Sequence, residues 1–169
     1  MERKVFIRDC FLHITCMVLL LIADQVSKLW ARTTLPGNPM IVWENVFSFR
    51  LIYNTGASFG IFQNKTLGLT IFSIVGMLAI GVFYYVLPKT KRMRPMRLTL
   101  AMIIGGGIGN IIDRIAMGKV TDMFSFDLIN FPVFNVADIG VTCGAIVMCV
   151  LWIFYYKDED FDQWKKSNS

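Results

Sequence analysis

Long apolar segments dominate this sequence and restrict its fold more than any other feature. The clearest is the segment 66–87, which contains twenty-two residues without a charge and ends immediately before Pro88. About 20 apolar residues in an α-helix cross the roughly 30 Å hydrocarbon core of a bilayer. Proline then ends such a helix, because it has no backbone N–H to donate. The sequence therefore predicts a membrane-spanning helix over residues 66–87.

Three further segments have the same character, and we expect them to span the membrane at about 9–30, 97–115 and 137–156. Hydrophobic residues make up 55% of the 169 residues and charged residues only 17%. This composition excludes a soluble globule and a disordered chain. The predicted fold class is an all-α membrane protein with four transmembrane helices, forming a single integral membrane domain over residues 1–169.

The distribution of basic residues predicts how these helices are oriented. The segment 88–97 carries five Lys or Arg residues and no acidic residue. Lys and Arg are retained on the cytoplasmic side of membrane proteins. We therefore expect the loop 88–96 and both termini to be cytoplasmic, and the loops 31–65 and 116–136 to be extracytoplasmic. The net charge of +5 largely reflects this topology, so no nucleic-acid partner is predicted.

The two predicted extracytoplasmic loops contain strand patterns. Residues 41–43 and 46–53 are rich in β-branched and aromatic side chains and follow turn residues, which predicts a small antiparallel β-sheet against the membrane surface. In the second loop, a period of two over 120–126 places Asp122 on the same side as apolar neighbours. A carboxylate is therefore expected among apolar groups.

Carboxylates at membrane depth are costly, so each requires a partner or a role. Asp24 has Lys28 four residues later, on the same face of a helix, which favours an ion pair. Asp113 is followed by Arg114, and neighbouring elements can satisfy both. For these residues a structural role is favoured.

Asp122 and Asp138 differ, because neither has an evident basic partner nearby in the sequence. Two aspartates that flank one loop in apolar surroundings are able to share a proton, with one activating water and the other donating a proton. A helix cap at Asp138 and a solvated loop acid at Asp122 explain the same residues. The spacing alone leaves both interpretations open and favours the structural one.

Other hydrolytic chemistries fit the sequence poorly. Residues 56–60 match the G-x-S-x-G pattern around Ser58, but that motif needs a histidine base. His13 is the only histidine, and it lies deep in the first predicted span. One histidine and four scattered cysteines do not provide a zinc site. We therefore expect neither a serine hydrolase nor a metal or other cofactor.

Small residues recur every four positions at Ala101, Gly105 and Gly109, which predicts close packing of the third span against another helix. Asn110 follows on the same span, and its buried amide would need a hydrogen-bond partner that it could position.

Five segments in this order resemble lipoprotein signal peptidase, also called signal peptidase II. They are DQVSK at 24–28, NTGASFG at 54–60, GGGIGNIIDR at 105–114, VTD at 120–122 and FNVAD at 134–138. The resemblance extends from the first span to the fourth. Small departures are Met123, where an aromatic residue is usual, and Gly107, where alanine is common.

The resemblance implies an aspartic endopeptidase of the bacterial cytoplasmic (inner) membrane, a multi-pass protein with its active site at the outer face. Such an enzyme removes signal peptides from prolipoproteins by cleaving before a diacylglyceryl-modified cysteine, and it needs no cofactor. Its implied partners are these lipidated substrates and membrane lipid. The residues that the resemblance implicates are Asp122 and Asp138 as the catalytic pair, Asn54, Gly56, Asn110, Arg114 and Asn135 around the substrate, and Asp24, Lys28 and Asp113 as structural polar residues.

A small transporter or channel is the alternative from a different functional class. It would use the same acids as an ion path and would require polar residues along the full depth of the membrane. The predicted acids instead gather at one face, which favours the peptidase.

Overall fold

The computed structural model describes residues 2–56, 66–129 and 131–161, with side chains from Ile7 onward. Its four long helices are α1 (Glu2–Thr34), α2 (Thr66–Val86), α3 (Arg94–Met117) and α4 (Val136–Val150), and α4 continues into a π-helical turn (Leu151–Tyr155). Each contains a stretch long and apolar enough to cross a membrane. The predicted architecture of four transmembrane helices is confirmed.

Helix α3 is the centre of the bundle, because it packs against each of the other three helices. Its consecutive glycines face different neighbours: Gly105 faces α1, Gly106 faces α4 and Gly107 faces α2. A methyl group at Gly105 would lie 3.1 Å from the side chain and the carbonyl oxygen of Met17. The absence of side chains thus allows close backbone approach, as the small-residue pattern predicts.

The ends of the helices follow from local sequence. Helix α2 stops two residues before Pro88, and α3 begins with a proline in its first turn, a position that lacks an intrahelical N–H bond in any case. At its other end, α3 is capped by Gly118 in the left-handed conformation (φ 71°), whose N–H donates to the carbonyl of Arg114. This cap turns the chain directly into a strand.

The strands β1 (Met40–Trp43), β2 (Phe47–Asn54) and β3 (Val120–Phe126) form one antiparallel sheet in that order. The predicted small antiparallel sheet is confirmed. Its third strand comes from the second loop, so one sheet joins segments that lie about seventy residues apart. Asp122 stands opposite Ile52, and Val120 stands opposite Asn54.

The sheet packs on the ends of α1 and α3 through a small apolar core. Ala31 of α1 and Leu35, which directly follows α1, are buried against Met123 of β3, and the rings of Trp30 and Phe49 meet edge to face at 5.3 Å. The sheet therefore lies where α1 and α3 end and where α2 and α4 begin. We call this the sheet end of the bundle.

Polar groups also occur at the opposite end. His13 is buried, and its ring nitrogen Nδ1 lies 3.0 Å from the hydroxyl of Tyr84 on α2, while Asp9 of α1 pairs with Arg94 of α3. His13 is thus a packed residue of α1. The ion pair and the contact with Tyr84 were not foreseen from the sequence.

Candidate active site

A cavity of about 870 Å³ opens at the sheet end, between β2, β3, α3 and α4. Its polar lining consists of side chains from four separate segments of the chain. They are Asn54, Thr55, Asn110, Arg114, Asp122, Asp138 and Thr142. Its remaining walls are mainly apolar and include the segment 131–134. Both candidate catalytic aspartates line this one cavity.

Asp122 lies in the middle of β3 and is only 2% exposed. Its Oδ1 accepts a 2.6 Å hydrogen bond from the amide of Asn135, and its Oδ2 accepts a longer one, 3.3 Å, from the amide of Asn54. The alternative of a solvated loop acid at this position is therefore wrong. The carboxylate is held within the protein by two amide donors.

Asp138 lies in the first turn of α4, where it forms a capping box with Asn135. The side chain of Asn135 accepts from the backbone N–H of Asp138 at 2.9 Å, and Asp138 Oδ2 accepts from the backbone N–H of Asn135 at 3.2 Å. This reciprocal arrangement satisfies two backbone donors that a helix start leaves unpaired. Asp138 does take part in a cap, and its second oxygen remains directed toward α3.

Asn110 of α3 contacts that second oxygen, donating from Nδ2 to Asp138 Oδ1 at 2.8 Å. The carbonyl oxygen of Asn110 in turn accepts from the amide of Asn135 at 3.1 Å. Asn135 thus contacts the carboxylates of Asp122 and Asp138 and also the side-chain amide of Asn110, which donates to Asp138. Through these contacts α3, β3 and the start of α4 meet at one point.

The environment of Asp122 changes its acidity. Burial raises the pKa of Asp122 to about 7, and the neighbouring charge of Asp138 acts in the same direction. The hydrogen bonds from Asn135 and Asn54 oppose this shift by favouring the charged form. In the described residues, neither Asp122 nor Asp138 forms an ion pair with Lys or Arg.

The three residues predicted to have structural polar roles, Asp24, Lys28 and Asp113, form a buried network beside the site. Lys28 pairs with Asp24 at 2.9 Å and approaches Asp113 at 3.5 Å, and all three side chains are essentially inaccessible to solvent. Asp24 also accepts from the backbone N–H of Ala137 at 2.9 Å. Asp113 accepts from the backbone N–H of Thr121 at 2.9 Å. The network therefore connects α1 and α3 to the segments that carry the two aspartates.

Asn54 and Arg114 also line the cavity, and both form hydrogen bonds with the backbone of Gly56. Asn54 Oδ1 accepts from the backbone N–H of Gly56 at 2.9 Å, which orients its amide group toward Asp122. Arg114 donates to the carbonyl of Gly56 at 3.2 Å. Its buried Nε has no hydrogen-bond partner among the described residues.

Two other sequence expectations concern nearby residues. Ser58 of the G-x-S-x-G pattern lies outside the described residues. In the part of the chain that the structure describes, no three His, Cys, Asp or Glu side chains are grouped so that they could hold a metal ion.

Comparison with known proteins identifies the relatives of this chain. The family model described as signal peptidase (SPase) II matches residues 16–154. The chain belongs to the signal peptidase II family. It is 38% identical to the lipoprotein signal peptidase of Clostridium tetani over 158 residues, covering 91% of this chain and 98% of that protein. It is also 38% identical to the lipoprotein signal peptidase of Clostridioides difficile over 145 residues, covering 85% and 96% of the two chains.

Solved structures support the same relationship. A bacterial membrane enzyme determined by the in meso method at 2.3 Å resolution matches with a TM-score of 0.76 and 27% identity, over 86% of this chain and 92% of that one. A second such structure, at 1.9 Å, matches with a TM-score of 0.72 over 85% and 94%. This signal peptidase II homologue is therefore a multi-pass membrane peptidase, and its cavity is the candidate place for peptide hydrolysis.

Proposed function

We propose that this protein is an aspartic endopeptidase that removes signal peptides from prolipoproteins by cleaving before the diacylglyceryl-modified cysteine. The observation that carries the proposal is the arrangement of Asp122 and Asp138. Both carboxylates face one cavity, both are held by Asn135, and no ion pair within the described residues neutralises either. Paired carboxylates of this kind can hold one proton between them.

The burial of the two acids suggests a division of roles. Both oxygens of each aspartate accept from N–H donors, so the hydrogen bonds alone do not separate the two acids. Asp138 is only partly buried whereas Asp122 is buried, and lower burial favours the ionised form at Asp138. Asp138 is accordingly the base. Asp122, with its pKa of about 7, keeps a proton near neutral pH and serves as the acid. Its Oδ2, with the longer hydrogen bond, is the oxygen better able to carry that proton.

The reaction proceeds in two stages. Asp138 removes a proton from a water molecule, whose oxygen attacks the carbonyl carbon of the residue before the cysteine, while Asp122 protonates the carbonyl oxygen. In the second stage Asp138 returns its proton to the amide nitrogen as the C–N bond breaks, and one hydroxyl of the intermediate returns a proton to Asp122. Both carboxyl groups regain their starting states, and one water is consumed.

The position of the pair suits a lipidated substrate. Asp138 begins a membrane-spanning helix and Asp122 lies in the sheet beyond the bundle, so the pair is at the boundary between the two. A diacylglyceryl cysteine has its acyl chains in the bilayer and its backbone at the surface. On this proposal the sheet end faces outward from the bacterial cytoplasmic membrane, both termini are cytoplasmic, and lipid borders the whole membrane domain.

The other polar residues of the cavity would hold the substrate or order the site. Arg114 presents a guanidinium group whose Nε has no hydrogen-bond partner within the described ranges, suited to a carbonyl oxygen of the substrate backbone. Asn54 and Gly56 would order β2 beside Asp122. Asn110 and Asn135 would hold the carboxylates themselves.

Cleavage of a diacylglyceryl-modified prolipoprotein by the purified protein in detergent tests this function. Asp122→Asn and Asp138→Asn should each reduce the rate by at least about a thousandfold while substrate still binds, because the amide keeps the shape but cannot exchange the proton. The double variant should be scarcely worse than either single one. Asp127→Asn is the control, since Asp127 directly follows β3, is not among the residues that line the cavity, and pairs with Arg50. Near-parent cleavage by a folded Asp122→Asn or Asp138→Asn protein would exclude the aspartic mechanism.

A further inference from the structure

Lys28 contacts the candidate site as well as its ion-pair partners. Its buried ammonium lies 2.9 Å from Asp24 Oδ2 and 3.0 Å from Oδ1 of Asn110. The backbone carbonyl of Gly109 and the carboxylate of Asp113 are more distant, at 3.4 Å and 3.5 Å. The amide of Asn110 is therefore as close to the ammonium as the principal counter-ion is.

This contact determines which way the amide of Asn110 points. An ammonium group can only donate hydrogen bonds, so it must face the carbonyl oxygen of Asn110 and not its NH2 group. The amide of Asn135 donates to the same oxygen at 3.1 Å. With two donors on that side, the NH2 group of Asn110 is directed to Asp138 at 2.8 Å.

The reversed amide would change the chemistry of the pair. It would place an NH2 group against the ammonium of Lys28 and an oxygen against Asp138. Two oxygens at hydrogen-bond distance require a proton between them, so this orientation favours a protonated Asp138. A protonated carboxyl group cannot remove a proton from water.

We propose that Lys28 is a positioning residue: through Asn110 it keeps Asp138 in the ionised form required of the base. This inference rests on the aspartic mechanism proposed above. Other charges near the ammonium come from every element packed around it. They are the carboxylates of Asp24 on α1, Asp113 on α3, Asp122 on β3 and Asp138 on α4. Arg32 of α1 and Arg114 of α3 act on some of these same carboxylates.

Removing the ammonium alone would leave Asp24 and Asp113 buried without it and is expected to impair folding. The test therefore compares Lys28→Met with Asp24→Asn/Lys28→Met, which removes one charge of each sign. Arg32→Gln is the matched control. Arg32 belongs to the same network, at 3.6 Å from Asp113, but the structure shows no hydrogen bond between it and Asn110.

For the folded double variant, we expect kcat to fall about tenfold or more, with KM changed less than about twofold, since the base and not the binding surface is affected. The acidic limb of the pH profile should move about one unit higher, because protonation of the base then competes at higher pH. Arg32→Gln should lower Tm but leave that limb in place.

Asn110→Ala provides an independent measurement. If Lys28 acts through Asn110, removing the amide should reproduce the change of the acidic limb, and Asp24→Asn/Lys28→Met should add little in that background. An unchanged kcat and pH profile in the folded double variant would overturn the positioning role. The positioning role would also be overturned if Asp24→Asn/Lys28→Met and Asn110→Ala had fully additive effects on kcat. It would be overturned as well if Arg32→Gln shifted the acidic limb of the pH profile as much as the double variant does. None of these results would alter the test on Asp122 and Asp138, so the two proposals can fail separately.

Discussion

The amide nitrogen of Asn135 donates a 2.6 Å hydrogen bond to Asp122, so the residue that caps α4 also holds the carboxylate of β3. Mutation can separate the cap of α4 from the bridge, by which we mean the hydrogen bond from Asn135 to Asp122. Asn135→Ser keeps a good cap, whereas Asn135→Ala removes it at a cost of about 1 kcal/mol. Both lose the amide donor to Asp122. We expect both variants to lose most activity in the cleavage assay, but only Asn135→Ala to show a clearly lower Tm. Full activity of Asn135→Ser would show that the bridge is dispensable.

The pKa of Asp122 predicts how activity depends on pH. With a value of about 7, the acid loses its proton as the pH rises through neutrality, so kcat should decline above about pH 7. Together with protonation of the base at low pH, this gives a bell-shaped profile whose two limbs belong to the pair. Measuring kcat in steps from pH 4 to 10 tests this; a rate that stays constant from pH 6 to 10 would contradict it.

The same raised pKa has a consequence for stability. An aspartate whose pKa is higher in the folded state stabilises the fold at low pH, and this contribution is lost as the pH rises from about 4 through 7. Asp122→Asn cannot ionise. The Tm of the variant relative to that of the parent should therefore increase between pH 5 and pH 8. A constant difference over that interval would argue against the raised pKa.

Asp24→Asn should chiefly lower stability. Asp24 and Lys28 are both fully buried, and removing one partner of a buried ion pair costs about 3–5 kcal/mol. We expect a markedly lower Tm and yield, with partial activity in each folded molecule. A variant as stable as the parent but wholly inactive would instead place Asp24 in the reacting group.

Gly109→Ala tests the close packing of α3. The added methyl group would collide with the carboxylate of Asp24 and lie 3.3 Å from the side chain of Ala137. We expect a loss of about 1–3 kcal/mol. Gly81→Ala on α2 is the control, because no atom of the part of the chain that the structure describes lies within 4 Å of its added methyl group. A Tm equal to that of the parent in both variants would show that α3 has room to move.

Membrane topology can be tested with single cysteines in a variant that lacks the four natural ones. Lys91→Cys between α2 and α3 should be protected from a membrane-impermeant thiol reagent in intact spheroplasts, whereas Asn38→Cys between α1 and β1 should react. Both positions are exposed, so accessibility within the protein does not limit labelling. The opposite pattern would invert the proposed orientation.

The helices were predictable because each depends on local sequence. The length of each apolar segment predicts a membrane span, and Pro88 predicts the end of α2. The glycines of α3 predict close packing against other helices. The Asp24 and Lys28 pair follows from spacing within one helix. The residues of the site were available from the resemblance alone, since the spacing left the roles of Asp122 and Asp138 open.

The sheet pairing and the hydrogen bonds of the site could not be predicted, because they are contacts between segments that are distant in the sequence. No local pattern indicates that β3 completes a sheet begun before α2, or that one side chain at position 135 reaches Asp122, Asp138 and Asn110. Likewise, the partners of Asp113 come from α1 and β3, not from the adjacent Arg114. Such pairings depend on how the helices pack, which single-sequence periodicity does not specify.

The hydrogen bonds that begin α4 are the same ones that orient Asp138. The first turn of this helix therefore cannot form without placing that carboxylate. During synthesis, the candidate site becomes complete only when the last spanning segment has left the ribosome and inserted. A zymogen requires a further event to bring its reactive groups together, whereas in this chain the hydrogen bonds that start α4 place Asp138 beside Asn135, which also holds Asp122.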